Sequence, residues 1–267
     1  WTNFIIQEEH IGLKVKDLSI GYRQGNKTTL ICNHINFELY HGELVGIIGV
    51  NGIGKSTLLR SLAKVQPKLS GTIEINKKDL EAYRNEDFAK IISVVLTEPI
   101  ATKNLSVLEL VALGRQPHTN WLGSLEKEDK EMLNYSLRLL ELDRLKYKKC
   151  FELSDGQMQR ALIARALCQD TKIIMLDEPT THLDLYHKVE ILKLLKRIAV
   201  DTGKIVLFTS HEIDLAIQLC HKMLILKKES SIFGDPCSLI EQKSFEDLFP
   251  KDSIAFNANT GTFKIVK

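Results

Sequence analysis

The sequence predicts an α/β fold with a doubly wound, mostly parallel sheet, a small antiparallel β subdomain and a helical insert. Three observations lead to this fold class. Short apolar runs alternate with segments of helical character, as in parallel sheets covered by helices. Near the N-terminus the runs alternate in character and are broken by glycines, which is typical of antiparallel strands. From residue 99 to about residue 151 the chain changes to helical periodicity.

The sequence predicts three strands for the small antiparallel subdomain. Its strands are residues 13–20, 34–39 and 72–75. Gly25, Gly42 and Gly71 break these runs, and we expect tight turns at them. The predicted core strands are residues 44–48, 91–96, 173–176, 205–208 and 223–226.

The helical insert begins at Ser106-Val107-Leu108-Glu109, a capping box that predicts a helix start. An apolar stripe follows at Leu133, Leu137, Leu140 and Leu142. We expect a semi-independent lobe at residues 99–151, inserted into an ATPase core formed by residues 11–98 and 152–229. Residues 230–267 form a C-terminal extension without a predicted chemical role.

A glycine-rich run follows the first core strand. It reads Gly49-Val50-Asn51-Gly52-Ile53-Gly54-Lys55-Ser56 and fits the P-loop pattern, with a helix start at Thr57. Strand, glycine turn and helix in this order aim backbone N–H groups and the positive helix end at one point, which attracts phosphate. Lys55 is predicted to reach the β and γ phosphates, and Ser56 to hold Mg²⁺ through its hydroxyl.

Two later strands end in side chains that suit the same site. The run Ile173–Leu176 is followed by Asp177, a candidate Mg²⁺ ligand, and by Glu178, a candidate general base for the attacking water. The next run leads to His211, which can reach the γ-phosphate or orient the water. Solvated carboxylates and a structural histidine are the alternatives for each motif alone, but the order of the motifs favours catalysis.

The pentapeptide Leu153-Ser154-Asp155-Gly156-Gln157 is the most specific motif of the chain. Ser154 and Gln157 have the spacing of a capping box, so a helix is predicted to begin there, with Gly156 leaving its first N–H groups uncovered. This is a second anion site in a chain that already has a complete cradle at Lys55.

Together these motifs resemble the nucleotide-binding subunit of ATP-binding cassette (ABC) transporters over nearly the whole chain. The resemblance implies ATP hydrolysis with Mg²⁺, with Glu178, His211 and Lys55 in catalysis, and it makes Thr181-His182-Leu183-Asp184 the D-loop. Tyr22 matches the aromatic residue on which adenine stacks. The residues implied to bind ATP are Tyr22, Gly49, Asn51, Gly52, Gly54, Lys55, Ser56, Thr57, Ser154, Gly156 and Gln157.

The resemblance also explains the second anion site. Two cassettes of the family pack head to tail, and the signature pentapeptide of each closes over the ATP held by the other. The implied partners are therefore a second copy of this chain, transmembrane permease subunits and, indirectly, a substrate-binding protein. The implied location is cytoplasmic, peripheral on the cytoplasmic face of the cell membrane.

The chain departs from the family pattern at two places. Asp155 stands where the family usually has Gly, as it does in many importer subunits, and we expect its side chain to face the helix or solvent. The strand at residues 92–96 lacks the Gln that usually follows it and that senses Mg²⁺ and the attacking water. We expect Thr97 or Glu98 to take its place, in addition to the metal ligands Ser56 and Asp177.

Composition narrows the function classes. The chain has 267 residues, 36 basic against 34 acidic, and a net charge of +2, which is too mild to indicate a nucleic-acid partner. It has no run of 18 apolar residues, so a transport role requires separate membrane-spanning subunits or a fusion partner that spans the membrane. The five cysteines show no C-x-x-C pairing, which favours reduced thiols.

These observations favour the ATPase subunit of an ABC importer. Leu113-Gly114-Arg115-Gln116-Pro117-His118 is similar to the corresponding stretch in importers of iron-siderophore, haem and cobalamin complexes, so uptake of iron-siderophore or related metal-chelate complexes is predicted. The alternative is a soluble, non-transport ABC ATPase of the iron-sulfur assembly type.

Overall fold

The structure is a computed structural model that describes residues 11–25, 27–97, 104–119, 123–228, 230–246, 248–249, 254–258 and 260–265. Its strands β1 to β12 are Ile11–Gln24, Lys27–Tyr40, Leu44–Ile48, Ser70–Ile75, Lys78–Asp79, Ile92–Val95, Ile173–Leu176, Ile205–Ser210, Lys222–Lys227, Ser230–Gly234, Ile254–Asn257 and Thr262–Ile265. Its helices α1 to α8 are Lys55–Leu62, Asn85–Phe88, Val107–Ala112, Lys127–Leu139, Asp155–Cys168, Leu185–Thr202, Ile213–Leu219 and Pro236–Glu241.

The core is a six-stranded sheet in the order β10-β9-β3-β8-β7-β6. Its strands are parallel except β10, which pairs antiparallel to β9 at one edge. Every residue of β3, β7 and β8 is buried. The predicted core strands are confirmed, and because they are parallel, their carboxyl ends lie along one edge of the sheet.

The two faces of the core sheet belong to different hydrophobic clusters. In β3, Val45 and Ile47 pack in a cluster with α1 and the antiparallel strands. Leu44 and Ile48 point to the other face, in a cluster formed with α3 to α7. This alternation explains why the strand has no polar residue, since both of its faces are covered.

The antiparallel subdomain is a four-stranded sheet in the order β2-β1-β4-β5. Gly25 and Gly42 lie in turns, as predicted. The turn predicted at Gly71 is wrong, because this glycine lies within β4, where the register with β1 shifts. A Cβ at Gly71 would approach the carbonyl oxygen of Asp17 to 2.4 Å, so the glycine permits close approach of the two strands.

The helical insert follows the predicted pattern where the structure describes it. The capping box is confirmed, since Ser106 Oγ accepts from Glu109 N and Glu109 Oε2 accepts from Ser106 N. All four leucines of the apolar stripe are buried. Residues 113–118 form a 3-10 helix that directly continues α3.

Arg115, within this 3-10 helix, is a buried packing residue. Its Nε lies 2.8 Å from Asp129 Oδ1, and its Nη1 donates to the carbonyl oxygen of Cys168. Burial by itself would raise the pKa of Asp129, but the N–H of Glu126 and the Arg115 guanidinium outweigh it and hold that pKa below its usual value. The ion pair therefore fixes α4 to the 3-10 helix and to the end of α5.

Replacing Asp129 by Asn should lower the free energy of unfolding by about 2 kcal/mol, because Arg115 would keep a buried charge without its counterion. Since the pKa of Asp129 is depressed in the folded chain, its contribution is full above the unfolded-state pKa and is lost as pH falls through the folded-state pKa. Chemical denaturation at neutral and acidic pH measures both effects. Asp87→Asn, which affects an exposed pair with Arg84, is the control; an equal loss in both variants would contradict the prediction.

The C-terminal extension packs onto the core. α8 begins at Pro236. Asp235 caps this helix, because its side chain accepts a hydrogen bond from Ser238 N. Phe245 is fully buried and stacks on Phe256, and β11 pairs with β12. No helix among the described residues is long and apolar enough to cross a membrane.

Candidate nucleotide site

The glycine-rich run joins β3 to α1. Gly54 has a φ of 108°, and a Cβ there would lie 2.4 Å from Ile31 Cγ2, so the turn requires glycine. Gly54 is the N-cap of α1, and its carbonyl oxygen accepts from Leu58 N. The loop thus brings the backbone and the positive end of an eight-residue helix to the carboxyl edge of the core sheet.

Lys55 is 4% exposed and lies inside this loop. Its Nζ donates to the carbonyl oxygens of Gly49, at 2.8 Å, and Val50, at 3.1 Å. Burial lowers the pKa of Lys55, while the carboxylates of Glu178 and Asp177 raise it and offset part of the effect. The ammonium is therefore held in a partly desolvated place, where an anion gains more from it than in water.

Asp177 and Ser56 place two oxygen ligands side by side. Asp177 follows β7, is 3% exposed, and its Oδ1 accepts from Ser56 Oγ at 2.9 Å and from Thr209 Oγ1 at 2.7 Å. A hydroxyl and a carboxylate at this separation, bordering a cavity, fit a hard divalent cation such as Mg²⁺.

The side chains of Glu178 and His211 contact each other next to Lys55. His211 Nε2 pairs with Glu178 Oε1, and His211 Nδ1 lies 3.1 Å from Lys55 Nζ. Thr181 Oγ1 donates to Glu178 Oε2 at 3.1 Å, and the backbone N–H of Glu178 donates to Thr209 Oγ1. The adjacent strand ends thus bring the predicted base and the predicted histidine together, as their order in the sequence suggested.

Two cavities adjoin these groups. The first, of about 480 Å³, is lined by Tyr22, Ile31, Asn51, Gly52, Gly54, Lys55, Ser56, Thr57, Glu178 and His211. The Tyr22 ring is 48% exposed, and its hydroxyl lies 2.9 Å from Thr57 Oγ1. The second cavity, of about 530 Å³, shares Ser56 and Glu178 with the first and reaches Thr97 and Asp155. Glu98 lies outside the described residues.

The signature pentapeptide borders the second cavity, through Leu153 and Asp155, but not the cavity that contains Lys55. The predicted capping box is present, since Gln157 N donates to Ser154 Oγ and Ser154 N donates to Gln157 Oε1. Neither Ser154, Gly156 nor Gln157 lines the cavity that contains Lys55. Within one chain, these three residues of the helix start therefore do not contribute to the cavity around Lys55.

Asp155 is exposed in the first turn of α5, where a carboxylate interacts favourably with the helix dipole. We expect Asp155→Gly and Asp155→Asn to keep ATPase activity within about threefold of the parent, because helix-end charges contribute less than about 1 kcal/mol. Steady-state hydrolysis assays measure this. A large gain in both variants would show that the carboxylate opposes phosphate binding.

Two threonines make contacts that sequence reasoning did not predict. Thr209 is fully buried between Asp177 and the backbone of Glu178, and Thr181 contacts the Glu178 carboxylate. The only signal was position, since Thr209 lies two residues before His211 at a strand end and Thr181 lies three after Glu178. Both hydroxyls orient carboxylates of the site.

Comparison with known proteins identifies the family. The family model described as "ABC transporter" matches residues 32–181, more than half of the chain. The chain belongs to the ABC transporter family. This ABC subunit is an ATP-binding ATPase, and its P-loop, cassette fold and antiparallel sheet are those expected from the sequence.

Relatives of this ABC subunit include ATP-binding proteins of import systems. The iron(3+)-hydroxamate import ATP-binding protein FhuC of Bacillus subtilis is 36% identical over 82% of this chain and 80% of its own. The petrobactin import ATP-binding protein FpuC of Bacillus anthracis is 35% identical over 81% of this chain and 80% of its own.

Solved structures agree with the fold. An inward-facing metal-chelate type ABC transporter is 29% identical and has a TM-score of 0.77 over 95% of each chain. The dimeric cassette MJ0796, bound to ADP and phosphate after hydrolysis, is 28% identical, with a TM-score of 0.69 over 82% of this ABC subunit and 97% of that chain.

Proposed function

We propose that this ABC subunit powers the import of iron-siderophore or related metal-chelate complexes. The observation that carries the proposal is the similarity to FhuC, FpuC and the metal-chelate type transporter over most of the chain. Separate transmembrane permease subunits form the pathway, and a substrate-binding protein delivers the cargo. The subunit works at the cytoplasmic face of the cell membrane.

The working unit in this proposal is a homodimer with two composite ATP sites. Its support is that Ser154, Gly156 and Gln157 do not line the Lys55 cavity of the same chain, and that the similar cassette MJ0796 is a dimer. Ser154, Gly156 and Gln157 then close over the ATP of the partner copy. Closure moves the insert, residues 99–151, relative to the core at 11–98 and 152–229.

The proposed roles within one site rest on the family resemblance for Tyr22, and for Lys55, Glu178 and His211 also on their contacts. Tyr22 stacks on adenine, the N–H groups between Gly49 and Thr57, with Asn51 among them, bind the phosphates, and Lys55 neutralises their charge. Thr181 and His211 orient the Glu178 carboxylate, and Glu178 takes a proton from the attacking water. His211, between Lys55 and Glu178, contacts the γ-phosphate region.

Ser56 and Asp177 would hold Mg²⁺, and we propose Thr97 or Glu98 as a further oxygen near it. When bound, the metal neutralises charge on the β and γ phosphates. Thr97 supports the proposal because it lines the same cavity as Ser56 and Asp177.

With alanine at both Thr97 and Glu98, we expect a lower ATPase rate and weaker stimulation by the permease. No change in either quantity would remove both residues from the proposal.

ATPase activity of the subunit, alone and reconstituted with permeases of iron-chelate uptake systems, tests the transport function. Strong stimulation that depends on a chelate and its binding protein is the expected result. Hydrolysis without binding to any such permease, together with co-purification of soluble assembly proteins, would favour the soluble alternative.

A further inference from the structure

His187 lies in the first turn of α6, and its ring is held by the residue that caps this helix. Its Nδ1 is 2.9 and 2.8 Å from the two carboxylate oxygens of Asp184, and its backbone N–H donates to Asp184 Oδ1. Because an ionised carboxylate only accepts hydrogen bonds, Nδ1 carries the proton. The same contacts lower the pKa of Asp184, so the carboxylate stays ionised and the ring stays oriented.

The other edge of the His187 ring rests against the signature pentapeptide. A Cβ built at Gly156 would lie 3.1 Å from His187 Cδ2 and 3.6 Å from Cγ, so the ring covers the place where a side chain would stand. The neighbouring Tyr186 ring meets His187 edge-on, with centroids 5.4 Å apart. The ring is therefore packed against the first turn of α5 and held from the opposite side by Asp184.

A short turn connects this contact to the predicted base. Thr181 N donates to the carbonyl oxygen of Glu178, and Thr181 Oγ1 donates to the Glu178 carboxylate. Leu183 N donates to the carbonyl oxygen of Thr180, and the turn ends at Asp184. The turn, with these internal hydrogen bonds, thus joins Glu178 to Asp184 along the chain, and the contact of Asp184 with His187 continues to Gly156.

We propose that His187 is a positioning residue that sets the first turn of α5 relative to the turn carrying Glu178. The inference rests on the proposed composite sites. There, Glu178 acts on the ATP held by its own chain, while Gly156 faces the ATP of the partner copy. His187 therefore connects, within one chain, the parts that serve two different ATP molecules.

The test uses the Glu178→Gln background, in which hydrolysis does not interfere. His187→Ala should leave the affinity of dilute, monomeric chain for a fluorescent ATP analogue within about twofold, because the ring is outside the Lys55 cavity. ATP-driven dimerisation, followed by sedimentation velocity, should weaken about tenfold, because a misplaced first turn no longer meets the partner's phosphate.

Two further variants separate positioning from simple packing. His187→Asn keeps an N–H for Asp184 and should restore dimerisation to within about threefold of the parent. Gly156→Ala should weaken dimerisation less in the His187→Ala background than with the ring present, because the new methyl then has room. His34→Ala, which removes an exposed histidine paired with Asp17, is the matched control.

The outcomes are distinct. Parent-like dimerisation of His187→Ala would overturn the inference, and so would an equal loss of monomer nucleotide affinity, which would make the ring a packing residue only. Additive effects of Gly156→Ala and His187→Ala would also overturn it. Failure of the Glu178→Gln parent itself to dimerise with ATP would instead overturn the proposed composite sites.

Discussion

Glu178→Gln should slow ATP hydrolysis by about a thousandfold while leaving ATP binding nearly intact, since removal of a general base typically costs between 10² and 10⁴ in rate. Gln keeps the size of Glu178 and an oxygen that can accept from Thr181. It cannot take a proton from water at neutral pH. ATP should therefore persist in the composite sites, and the variant should accumulate as a closed dimer.

Single-turnover hydrolysis and size-exclusion chromatography with ATP measure the two halves of this prediction. Glu241→Gln, at an exposed carboxylate of α8, controls for the loss of one charge. Full hydrolytic activity of the Glu178→Gln variant would remove this residue from the mechanism, whatever the state of the dimer.

Lys55→Met should weaken ATP binding about a hundredfold, which is about 2.8 kcal/mol. Methionine fills the volume of the buried stem but provides no charged donor to the phosphates, and hydrogen bonds to charged groups contribute about 1.5–3 kcal/mol. Isothermal titration with a non-hydrolysable ATP analogue measures the loss. Lys127→Met is the matched control, because the Lys127 side chain is 90% exposed.

The same variant has an expected effect on stability without nucleotide. Burial lowers the pKa of Lys55, so the folded chain releases this proton at lower pH than the unfolded chain. The free energy of unfolding therefore rises as pH increases from the folded-state pKa to the unfolded-state pKa. Lys55→Met should remove this slope and should not lower the thermal midpoint. A lower midpoint would mean that the ammonium stabilises the loop instead.

Much of the fold could be predicted because the strongest signals are local. Ile173–Leu176 and residues 205–208 are apolar throughout, and a strand buried on both faces needs such a run. Gly71 was predicted wrongly because a glycine at a shifted strand register and a glycine in a turn look alike in sequence. Only the close approach of Asp17, on the neighbouring strand, distinguishes the two cases.

The site was predictable where residue type and strand end coincide. Asp177 and His211 directly follow core strands, so a parallel sheet brings them to the same edge. Thr209 and His187 were not predicted as site residues, because their roles come from contacts with Asp177 and Gly156 that lie far away in sequence. Arg115 is a motif residue with a structural role. It lies in the stretch that resembles importers, but its side chain is buried against Asp129.

The alternating side chains of β3 also affect the cooperativity with which the subunit unfolds. Leu44 and Ile48 belong to one hydrophobic cluster, and Val45 and Ile47 to the other. If either cluster became exposed to water, one face of β3 would lose its cover, although the other cluster still packs against the opposite face of the same strand. The antiparallel subdomain and the helices on the other face of the core sheet are therefore coupled through β3. We expect the two clusters to unfold together as one cooperative unit.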